Sequence, residues 1–506
     1  MKKLFFVLSL LLYSSVMVFA QTDEYWNFNK AALVFKTGQG IMDTTNNNCI
    51  TQTISDCHTS VCDNGGNLLF YSNGYSVYDK NNNIMTNGNH FNHSTYGDIY
   101  INGNSGYPVL KGAIILPFVN DTNKYYMFYE DMGYQETGAT NFLPSKLRFL
   151  VIDKRLNGGL GDIVFKDSTI LSGDTLQDGN IFAIKHGNGM DWWVIVREFR
   201  TNKFYKILIT ANGIQTPITQ NIGTAYRTSS FYNGEGDVSS DGSKLIYFNT
   251  TFNFTFGVSS SQMDILDFDR CTGVLSNVKN ITVPSVVGSD SLAWWSTCLS
   301  PNKRFVYSTD GSYMWQMDLT SSNILNSRIK VGTWDGTTVL GNQTWFFQMK
   351  NGIDNKTYVS CYGGNSYIHV INQPDSLGIA CDFVQKQLYV GSVYTGHFQR
   401  GSLPNTPNYK LGAINCNVGM EKVTMNDERL TVYPNPVNTN LKISQFENLK
   451  MIEITNVFGQ VVMNQPINIF PTHEIILDVS HLISQIYILK TTDDKGYQQV
   501  VKFVKE

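Results

Sequence analysis

Eight histidines and a few clusters of acidic side chains are the groups in this sequence that could support chemistry. Hydrolysis or elimination needs a nucleophile with a base, or two carboxylates, in one pocket. The sequence has no G-x-S-x-G elbow, no H-E-x-x-H pair and no glycine-rich phosphate loop. No catalytic motif includes any of the histidines, which are His58, His90, His93, His186, His369, His397, His473 and His481. The sequence therefore predicts no catalytic residue and no cofactor.

Two short patterns contain side chains that bind metals in other proteins. Glu235, Asp237 and Asp241 supply carboxylate oxygens, which Ca²⁺ prefers. Their spacing lacks the full ligand set of a calcium loop, and Asp at such positions more often accepts hydrogen bonds within a turn. His90 and His93 lie in a loop rich in Gly and Asn, which favours a solvated loop over half a metal site. The prediction is that the protein has no metal site, with the three carboxylates as a weak calcium candidate.

The chain contains eight cysteines, an even number. In an exported protein such cysteines form disulfides, although the sequence cannot select among their many pairings. Short separation favours Cys271 with Cys298 and Cys361 with Cys381. Some pairing is also expected among the remaining early cysteines, Cys49, Cys57 and Cys62. A zinc site at Cys57, His58 and Cys62 is disfavoured because no second ligand pair follows at zinc-finger spacing.

The elements that must position these groups begin after an N-terminal export signal. Met1–Lys3 is positively charged, Leu4–Val18 is apolar, and the small residue Ala20 precedes Gln21. The apolar stretch is shorter than the ~20 residues that a membrane-spanning helix needs. We therefore expect residues 1–20 to be a signal peptide that is cleaved between Ala20 and Gln21, and no transmembrane segment in the remainder.

Composition favours an exported β-protein. Only 16% of the residues are charged and 13% are aromatic, whereas charged residues usually make up ~25%. Aromatic and β-branched side chains suit strands, and Gly and Asn suit turns. The formal net charge of −3 disfavours binding to nucleic acid.

Between residues 21 and 416 one pattern of turn, strand, turn and strand recurs six times. The first strands of these hairpins begin near Leu68, Tyr125, Trp192, Leu245, Phe305 and Tyr358. A β-unit that repeats at such spacing is typical of propeller blades. The sequence therefore predicts an all-β fold with a six- or seven-bladed β-propeller over residues 21–416. A seventh blade would need Trp26–Phe35 and Tyr409–Ile414 to close the ring. The alternative, a tandem of β-sandwiches, predicts Greek-key crossings and shorter strand spacing.

The C-terminal region follows a polar linker at residues 417–429. Seven short alternating strands over residues 430–506 predict a small immunoglobulin-like β-sandwich. This segment resembles the C-terminal sorting domain of proteins exported by the type IX secretion system of Bacteroidetes-type bacteria. Four elements carry the resemblance: Val432–Val437, with Tyr433, Pro434, Asn435 and Pro436; Ile452–Gln460, with Gly459; Ile486–Lys490, with Lys490; and Val501–Lys505, with Lys502. Ser484–Gln485 departs from the family, which usually has Gly beside the aromatic strand.

The resemblance implies that the tail is recognised by the type IX translocon and commonly removed, leaving a secreted or cell-surface protein. The middle of the chain resembles exported propellers that carry the same tail, and that resemblance implies no biochemical activity. The segments that carry it are Trp26–Phe28 with Leu33–Phe35, Asn67–Gly74, Phe268–Gly273 and Leu403–Tyr409.

The predicted function is a noncatalytic propeller whose loops bind a glycan or a surface protein. The candidate loops are Asn87–Lys111, Met132–Lys146 and Thr250–Gln262, which are rich in Gly, Asn, Ser, Thr and aromatic residues. Neighbouring strand residues point to opposite faces, so one tryptophan of the Trp192–Trp193 pair is expected to pack between blades. Core packing is the favoured interpretation for any single tryptophan, and a binding surface that uses other members is the alternative. The alternative is a secreted hydrolase with an active site at the mouth of the propeller channel, since fold alone does not decide function.

Overall fold

The computed structural model describes most of the chain, in segments. These are residues 25–28, 31–36, 39–43, 57–93, 98, 107–134, 142–177, 180–225, 236–253, 258–283, 296–339, 341–362, 366–390, 403–416, 430–444, 449–456, 460–467, 474–493 and 498–506. The signal peptide with Ala20 and Gln21, Cys49, Glu235, Trp294–Trp295, Gly459 and the linker at 417–429 lie outside the described residues. The chain divides into two compact units, Met1–Cys416 (unit 1) and Asn417–Glu506 (unit 2).

Unit 1 is built almost entirely from antiparallel β-sheets, which confirms the predicted all-β class. Seven of its described sheets have three or more strands. Sheet 1 contains β1 (Tyr25–Phe28), β2 (Ala31–Lys36) and β3 (Gln39–Asp43); sheet 2, β4 (Thr59–Cys62), β5 (Leu68–Ser72) and β6 (Val77–Asp79); sheet 3, β7 (Ala113–Pro117), β8 (Lys124–Tyr134), β9 (Phe142–Asp153) and β10 (Asp162–Ser172).

In sheets 4 to 7 neighbouring strands also follow one another along the chain, except that β15 pairs with β13 in sheet 4. Sheet 4 contains β11 (Phe182–Lys185), β12 (Trp192–Arg197), β13 (Lys203–Thr210), β14 (Gly213–Ile214) and β15 (Ile218–Asn221); sheet 5, β16 (Asp237–Val238), β17 (Lys244–Asn253), β18 (Val258–Phe268) and β19 (Leu275–Val283); sheet 6, β20 (Ser296–Leu299), β21 (Phe305–Thr309), β22 (Tyr313–Asp318) and β23 (Ile329–Thr333); sheet 7, β26 (Phe346–Asn351), β27 (Thr357–Cys361), β28 (Tyr367–Ile371) and β29 (Phe383–Tyr389). A short ribbon, β24 (Thr338–Val339) and β25 (Asn342–Gln343), a helical turn, α1 (Leu156–Gly159), and two 3₁₀ turns (Leu325–Ser327 and Gly378–Cys381) complete the described elements.

The six predicted hairpins form the second and third strands of sheets 2 to 7. Their apolar runs are buried on both faces, as in Trp192–Arg197, where every residue is buried. Outer strands are more polar and exposed, because one side of each faces solvent; β10 and β19 are examples. Each sheet is therefore an up-and-down meander whose centre is its most apolar part.

Five of the six pairs of successive sheets contact each other through their first strands. In the described residues β1 contacts β4, β4 contacts β7, β11 contacts β16, β16 contacts β20, and β20 contacts β26. The last sheet also packs against the first: the ring of Tyr358 in sheet 7 lies 5.3 Å from the ring of Trp26 and 5.7 Å from that of Phe35. Sheet 7 is thus the neighbour of sheet 1.

The predicted closing strand at Tyr409–Ile414 is wrong, although strands do occur at Trp26–Phe35. Residues 403–416 form no strand. Pro404 and Pro407 lack the backbone N–H that a sheet ladder requires, and sheet 1 already has its own third strand, β3. We call Leu403–Cys416 the strap, because it crosses several sheets instead of joining one.

The predicted pairing of Cys271 with Cys298 and of Cys361 with Cys381 is also wrong. Cys271 forms a disulfide with Cys416, 145 residues away and with 5.4 Å between the Cα atoms. Cys298, Cys361 and Cys381 are buried free thiols. Short separation misled the prediction because Cys271 lies in the turn between β18 and β19, to which the strap delivers Cys416.

The described residues of unit 2 form seven strands in two antiparallel sheets. One sheet has the order β30 (Thr431–Tyr433), β31 (Asn440–Ser444), β34 (Glu474–Asp478), and the other has the order β33 (Val461–Pro466), β32 (Leu449–Asn456), β35 (Gln485–Asp493), β36 (Gln498–Lys505). Residues from both sheets share one apolar core, which includes Leu441, Ile454, Leu489 and Phe503. This core stabilises unit 2 without any cysteine.

Candidate functional site

The strap is tied to several sheets by the side chain of one residue, Asn405. Its Nδ2 atom donates to the carbonyl oxygens of Lys111 (2.9 Å), Ala113 (3.1 Å) and Ile181 (3.0 Å). The backbone of Asn405 binds sheet 2, where its N–H donates to the His58 carbonyl at 2.7 Å and its carbonyl accepts from Thr59 Oγ1 at 2.9 Å. One buried asparagine therefore joins the beginnings of sheets 2, 3 and 4, through its backbone at sheet 2 and through its side chain at sheets 3 and 4.

The strap residues on either side of Asn405 extend these contacts. Leu403 N donates to Gln348 Oε1 of sheet 7 at 2.7 Å, and Lys350 Nζ donates to the Thr406 carbonyl at 3.1 Å. Tyr409 OH donates to the Ile115 carbonyl of sheet 3 at 2.8 Å. The first strands of sheets 3 and 7 thus meet the same short segment.

The end of the strap is fixed to sheets 4 and 5. Arg270 Nη2 donates to the Gly412 carbonyl at 2.8 Å, and Ile414 N donates to the Gly187 carbonyl at 2.8 Å. A Cβ atom at Gly187 would lie 2.1 Å from Cys416 Sγ and 2.3 Å from Cys271 Sγ, so only glycine fits beside the disulfide. The covalent bond holds the strap where its hydrogen bonds end.

Beside the strap, the buried side chains of Lys111 and Cys298 and the half-buried side chain of Asp237 form a polar group. Lys111 Nζ donates to the Gly236 carbonyl at 3.1 Å, and Asp237 Oδ2 accepts from Leu299 N at 2.8 Å. Burial raises the pKa of the Asp237 carboxyl. Burial, with the nearby Asp237 charge, raises the pKa of the Cys298 thiol well above its usual range. Since the thiolate is the reactive form, Cys298 is held as an unreactive thiol at neutral pH.

The structure does not bring Asp237 and Asp241 together as a calcium site. Asp241 Oδ1 accepts from Ser239 Oγ at 2.7 Å and from Ser243 N at 3.0 Å, and its other oxygen pairs with Lys303. Although burial acts to raise it, Lys303 and these turn hydrogen bonds keep the pKa of Asp241 below its usual range. Within the described segments no group of three or more His, Cys, Asp or Glu side chains could hold a metal ion.

The described histidines occupy different environments. His93 Nδ1 lies 3.1 Å from Asp98 Oδ1 on the surface, and the His90 and His93 rings are 5.2 Å apart. His369 is buried beside the Cys361 thiol, and burial lowers its pKa to about 4. His58 is fully buried, and burial lowers its pKa to about 3, so its imidazole is neutral at physiological pH.

Both members of the Trp192–Trp193 pair are buried, at 1% and 4% exposure, as the favoured interpretation of core packing predicts, so neither ring offers a stacking surface. Trp192 packs near Tyr409 of the strap, with ring centroids 5.8 Å apart. Trp193 Nε1 donates to the Arg270 carbonyl at 3.0 Å. Neighbouring sheets cover both faces of β12, which is why neither ring reaches the surface.

Two hairpins extend beyond their own sheets. In sheet 3, β8 and β9 remain paired from Met132↔Pro144 to Tyr134↔Phe142, past the last partners in β7 and β10. In sheet 5, β17 and β18 remain paired to Asn253↔Val258, past the end of β19. We call these extensions arm A and arm B. They contain two of the three candidate binding loops, Met132–Lys146 and Thr250–Gln262.

The bases of the arms are connected by a short segment of the chain. Leu176 N donates to the Pro144 carbonyl in arm A at 2.8 Å. Gln177 Nε2 donates to the Phe248 carbonyl at the base of arm B at 3.3 Å. The two arms therefore stand on adjoining parts of unit 1, with sheet 4 between them.

The third candidate loop contacts β8 just before arm A begins. Asn92 Nδ2 donates to the Glu130 carbonyl at 2.9 Å and to the Gly74 carbonyl at 3.2 Å, and the rings of Phe91 and Tyr129 lie 4.8 Å apart. At the base of arm A, Arg148 forms an ion pair with Asp131 at 2.8 Å. Buried contacts thus link the Asn87–Lys111 loop to the base of arm A, and residues 176–177 link arm A to the base of arm B.

In unit 2 the predicted sorting residues lie in and beside the sheets. Tyr433 OH donates to Glu474 Oε2 at 2.7 Å. Asn435 uses both ends of its amide on the last strand: Nδ2 donates to the Lys502 carbonyl at 3.2 Å, and Oδ1 accepts from Val504 N at 2.8 Å. Lys490 pairs with Glu453 at 2.7 Å. The Tyr-Pro-Asn-Pro segment, with Pro434 and Pro436, is therefore attached to the C-terminal strand by its asparagine.

Comparison with known proteins identifies this tail. Residues 431–506 match the family model of the secretion system C-terminal sorting domain. This protein carries a type IX sorting tail. The match confirms the export part of the sequence interpretation: it supports a type IX secretion substrate that is secreted or displayed at the cell surface. In the part of the chain that the structure describes, no helix has the length and apolar character needed to cross a membrane.

For the whole chain the comparisons are less specific. A sequence comparison with curated proteins found no match. Among solved structures, PorZ of Porphyromonas gingivalis, a surface component of the type IX secretion system, is 12% identical with a TM-score of 0.28, covering 95% of this chain and 80% of PorZ. The extracellular domain of a one-component system protein from B. thetaiotaomicron is 11% identical with a TM-score of 0.32, covering 96% of this chain and 56% of that one.

Proposed function

We propose that unit 1 is a seven-bladed β-propeller in which sheets 1 to 7 are the blades. The support is the order of contacts: each sheet is a meander, five of the six pairs of successive sheets meet through their first strands, and sheet 7 packs on sheet 1 through Tyr358. In such a ring the first strands line the axis, and the strap lies against them. The strap takes the role that a shared terminal strand has in many propellers.

The proposed export route of this protein rests on the signal peptide and on the sorting tail. The signal peptide is cleaved between Ala20 and Gln21, unit 1 folds in the periplasm, and the type IX translocon recognises unit 2. Removal of the tail then occurs within the polar linker at 417–429. The product is a propeller that is secreted or held on the outer surface.

Outside the cell, the proposed role is noncatalytic binding of a glycan or a surface protein. The observation that carries this proposal is that arm A and arm B extend beyond their sheets and that contacts at their bases link them to each other and to the Asn87–Lys111 loop. In a meander, turns between second and third strands emerge at the same edge as the connections between sheets, so all three loops face the same side. A rigid scaffold that presents extended loops is the usual arrangement of a recognition surface.

Shortening the arms is expected to abolish binding without unfolding unit 1. In arm A, residues 133–143 would be replaced by Asn-Gly, and in arm B, residues 251–260 would be replaced by the same type I′ turn, which closes each hairpin at an existing strand pair. We expect the melting temperature to fall by no more than a few degrees, because the sheet cores remain intact. Binding would be measured on a glycan array and on intact envelopes of the producing bacterium.

A matched control changes the opposite edge of the sheets. Alanine substitution of Ser321, Ser322 and Asn323, between β22 and β23, alters an exposed polar loop of similar composition. This variant is expected to bind as the unaltered protein does. Retained binding by the shortened arms, or loss of binding in the control alone, would contradict the proposed face.

A further inference from the structure

Four fully or almost fully buried polar side chains lie around the first half of the strap. Trp26, His58 and Gln348 are 0% exposed and Thr406 is 8% exposed. Among the described residues, Trp26 Nε1, both ring nitrogens of His58, Gln348 Nε2 and Thr406 Oγ1 have no hydrogen-bond partner. We call these four residues the strap cluster. Buried polar atoms without partners are rare in folded proteins, so this concentration requires an explanation.

The four residues lie where sheets 1, 2 and 7 meet the first half of the strap. His58 is bound to Asn405 through its backbone carbonyl, and Gln348 is bound to Leu403 N through its side-chain oxygen. Lys350 connects the other two: its Nζ donates to the Thr406 carbonyl at 3.1 Å and lies 5.5 Å from the centre of the Trp26 ring. The strap cluster therefore surrounds residues 403–406.

The chemistry of the strap cluster favours an acceptor. The indole of Trp26 and the amide nitrogen of Gln348 can only donate, whereas the Thr406 hydroxyl and the neutral imidazole of His58 can each donate once and also accept. The Lys350 ammonium group adds positive charge beside them. No carboxylate hydrogen-bonds to any of these four side chains among the described residues. A site with an excess of donors and a nearby cation suits a small anion better than a cation.

We propose that the strap cluster binds a small inorganic anion of the halide class. The anion accepts from Trp26 Nε1, Gln348 Nε2, Thr406 Oγ1 and one nitrogen of His58, and it joins the strap to sheets 1, 2 and 7. This inference rests on the contacts of the strap and does not depend on the proposed ligand-binding face. It predicts that halide contributes to the stability of unit 1.

Two measurements on the mature full-length protein test this site. In crystals grown with sodium bromide, the anomalous signal is expected to show bromide within hydrogen-bonding distance of Gln348 Nε2 and Trp26 Nε1. In solution, the melting temperature is expected to be higher by a few degrees in sodium chloride than in sodium gluconate of the same ionic strength, because an ion that binds only the folded state stabilises it by mass action.

Gln348→Glu tests the role of the donor. Glutamate retains the acceptor for Leu403 N but replaces the Nε2 donor with a second oxygen, so the difference between chloride and gluconate is expected to disappear. Gln387→Glu makes the same charge change at an exposed position of sheet 7 and should retain the difference. Equal melting temperatures of the unaltered protein in the two salts would overturn the proposal. So would bromide found only at surface sites with water at the strap cluster, and this crystal test stands even if Gln348→Glu does not fold.

Discussion

Deletion of residues 430–506 is expected to leave the protein in the periplasm, with the extracellular fraction reduced to background. The sorting-domain match covers 431–506, and the deleted part lies wholly within unit 2. Unit 1 retains its own cores and the Cys271–Cys416 disulfide, so it should still fold. Fractionation of cells, followed by immunodetection in the periplasm, envelope and medium, measures the outcome.

A point variant refines this export test. Asn435→Ala removes both hydrogen bonds that attach the Tyr-Pro-Asn-Pro segment to β36, and export should fall although unit 1 is unchanged. Asn464→Ala, at an exposed position in β33 of the same unit, serves as the control. Appearance of the truncated protein in the medium would show that the tail is not the export signal.

Asn405→Ala is expected to destabilise unit 1 by about 3 kcal/mol or more. The substitution removes three buried side-chain hydrogen bonds and leaves the carbonyls of Lys111, Ala113 and Ile181 without their donor. Each buried polar group left without a partner costs about 1–3 kcal/mol. Chemical denaturation followed by tryptophan fluorescence would measure the loss, since Trp192 packs near Tyr409 of the strap.

Cys416→Ser removes the disulfide that holds the end of the strap, and its free energy of unfolding can be compared with that of Asn405→Ala. The disulfide closes a long loop, and removal of such a bond costs about 2–5 kcal/mol in small secreted domains. Asn326→Ala, an exposed asparagine between β22 and β23, should change the free energy of unfolding by no more than about 0.5 kcal/mol. If Asn405→Ala behaved like Asn326→Ala, the strap would not be the structural connection described here.

The sequence was sufficient to locate the central strands of six sheets. Runs such as Trp192–Val196 are apolar at every position because neighbouring sheets cover both faces, and Gly and Asn mark the turns between them. First and fourth strands were harder to recognise. The strand β16 has only two residues, Asp237 and Val238, and β10 is largely exposed and polar, so neither has a hydrophobic period.

The strap was not predictable from local pattern. Its partners are distant in sequence; in the hydrogen bond from Thr59 to Asn405 the two residues are 346 positions apart. The Leu-Pro-Asn-Thr-Pro-Asn-Tyr sequence at 403–409 resembles a solvated turn, yet six of its seven residues are buried. Two prolines beside apolar residues were the only local sign that this segment leaves the sheet pattern. Its disulfide was missed for the same reason.

The environments of Asp237 and Asp241 in the candidate site were also not predictable from the sequence. Asp237 and Asp241 are near neighbours in sequence, but Asp237 binds Leu299 N of sheet 6 and Asp241 binds the turn of its own hairpin. Sequence spacing therefore gave no guide to their separate environments. The loop composition was more informative, because the Gly, Asn and Ser content of Met132–Lys146 and Thr250–Gln262 coincides with the two arms.

We propose that the exported protein binds its partner without altering the partner chemically. The direct measurement incubates the mature protein with each glycan or envelope component that it retains on an array, and follows that ligand by mass spectrometry. We expect the ligand to be recovered at unchanged mass after binding that depends on arms A and B. A product of altered mass, absent after substitution of a single Asp, Glu or His, would contradict the claim and identify the protein as a hydrolase.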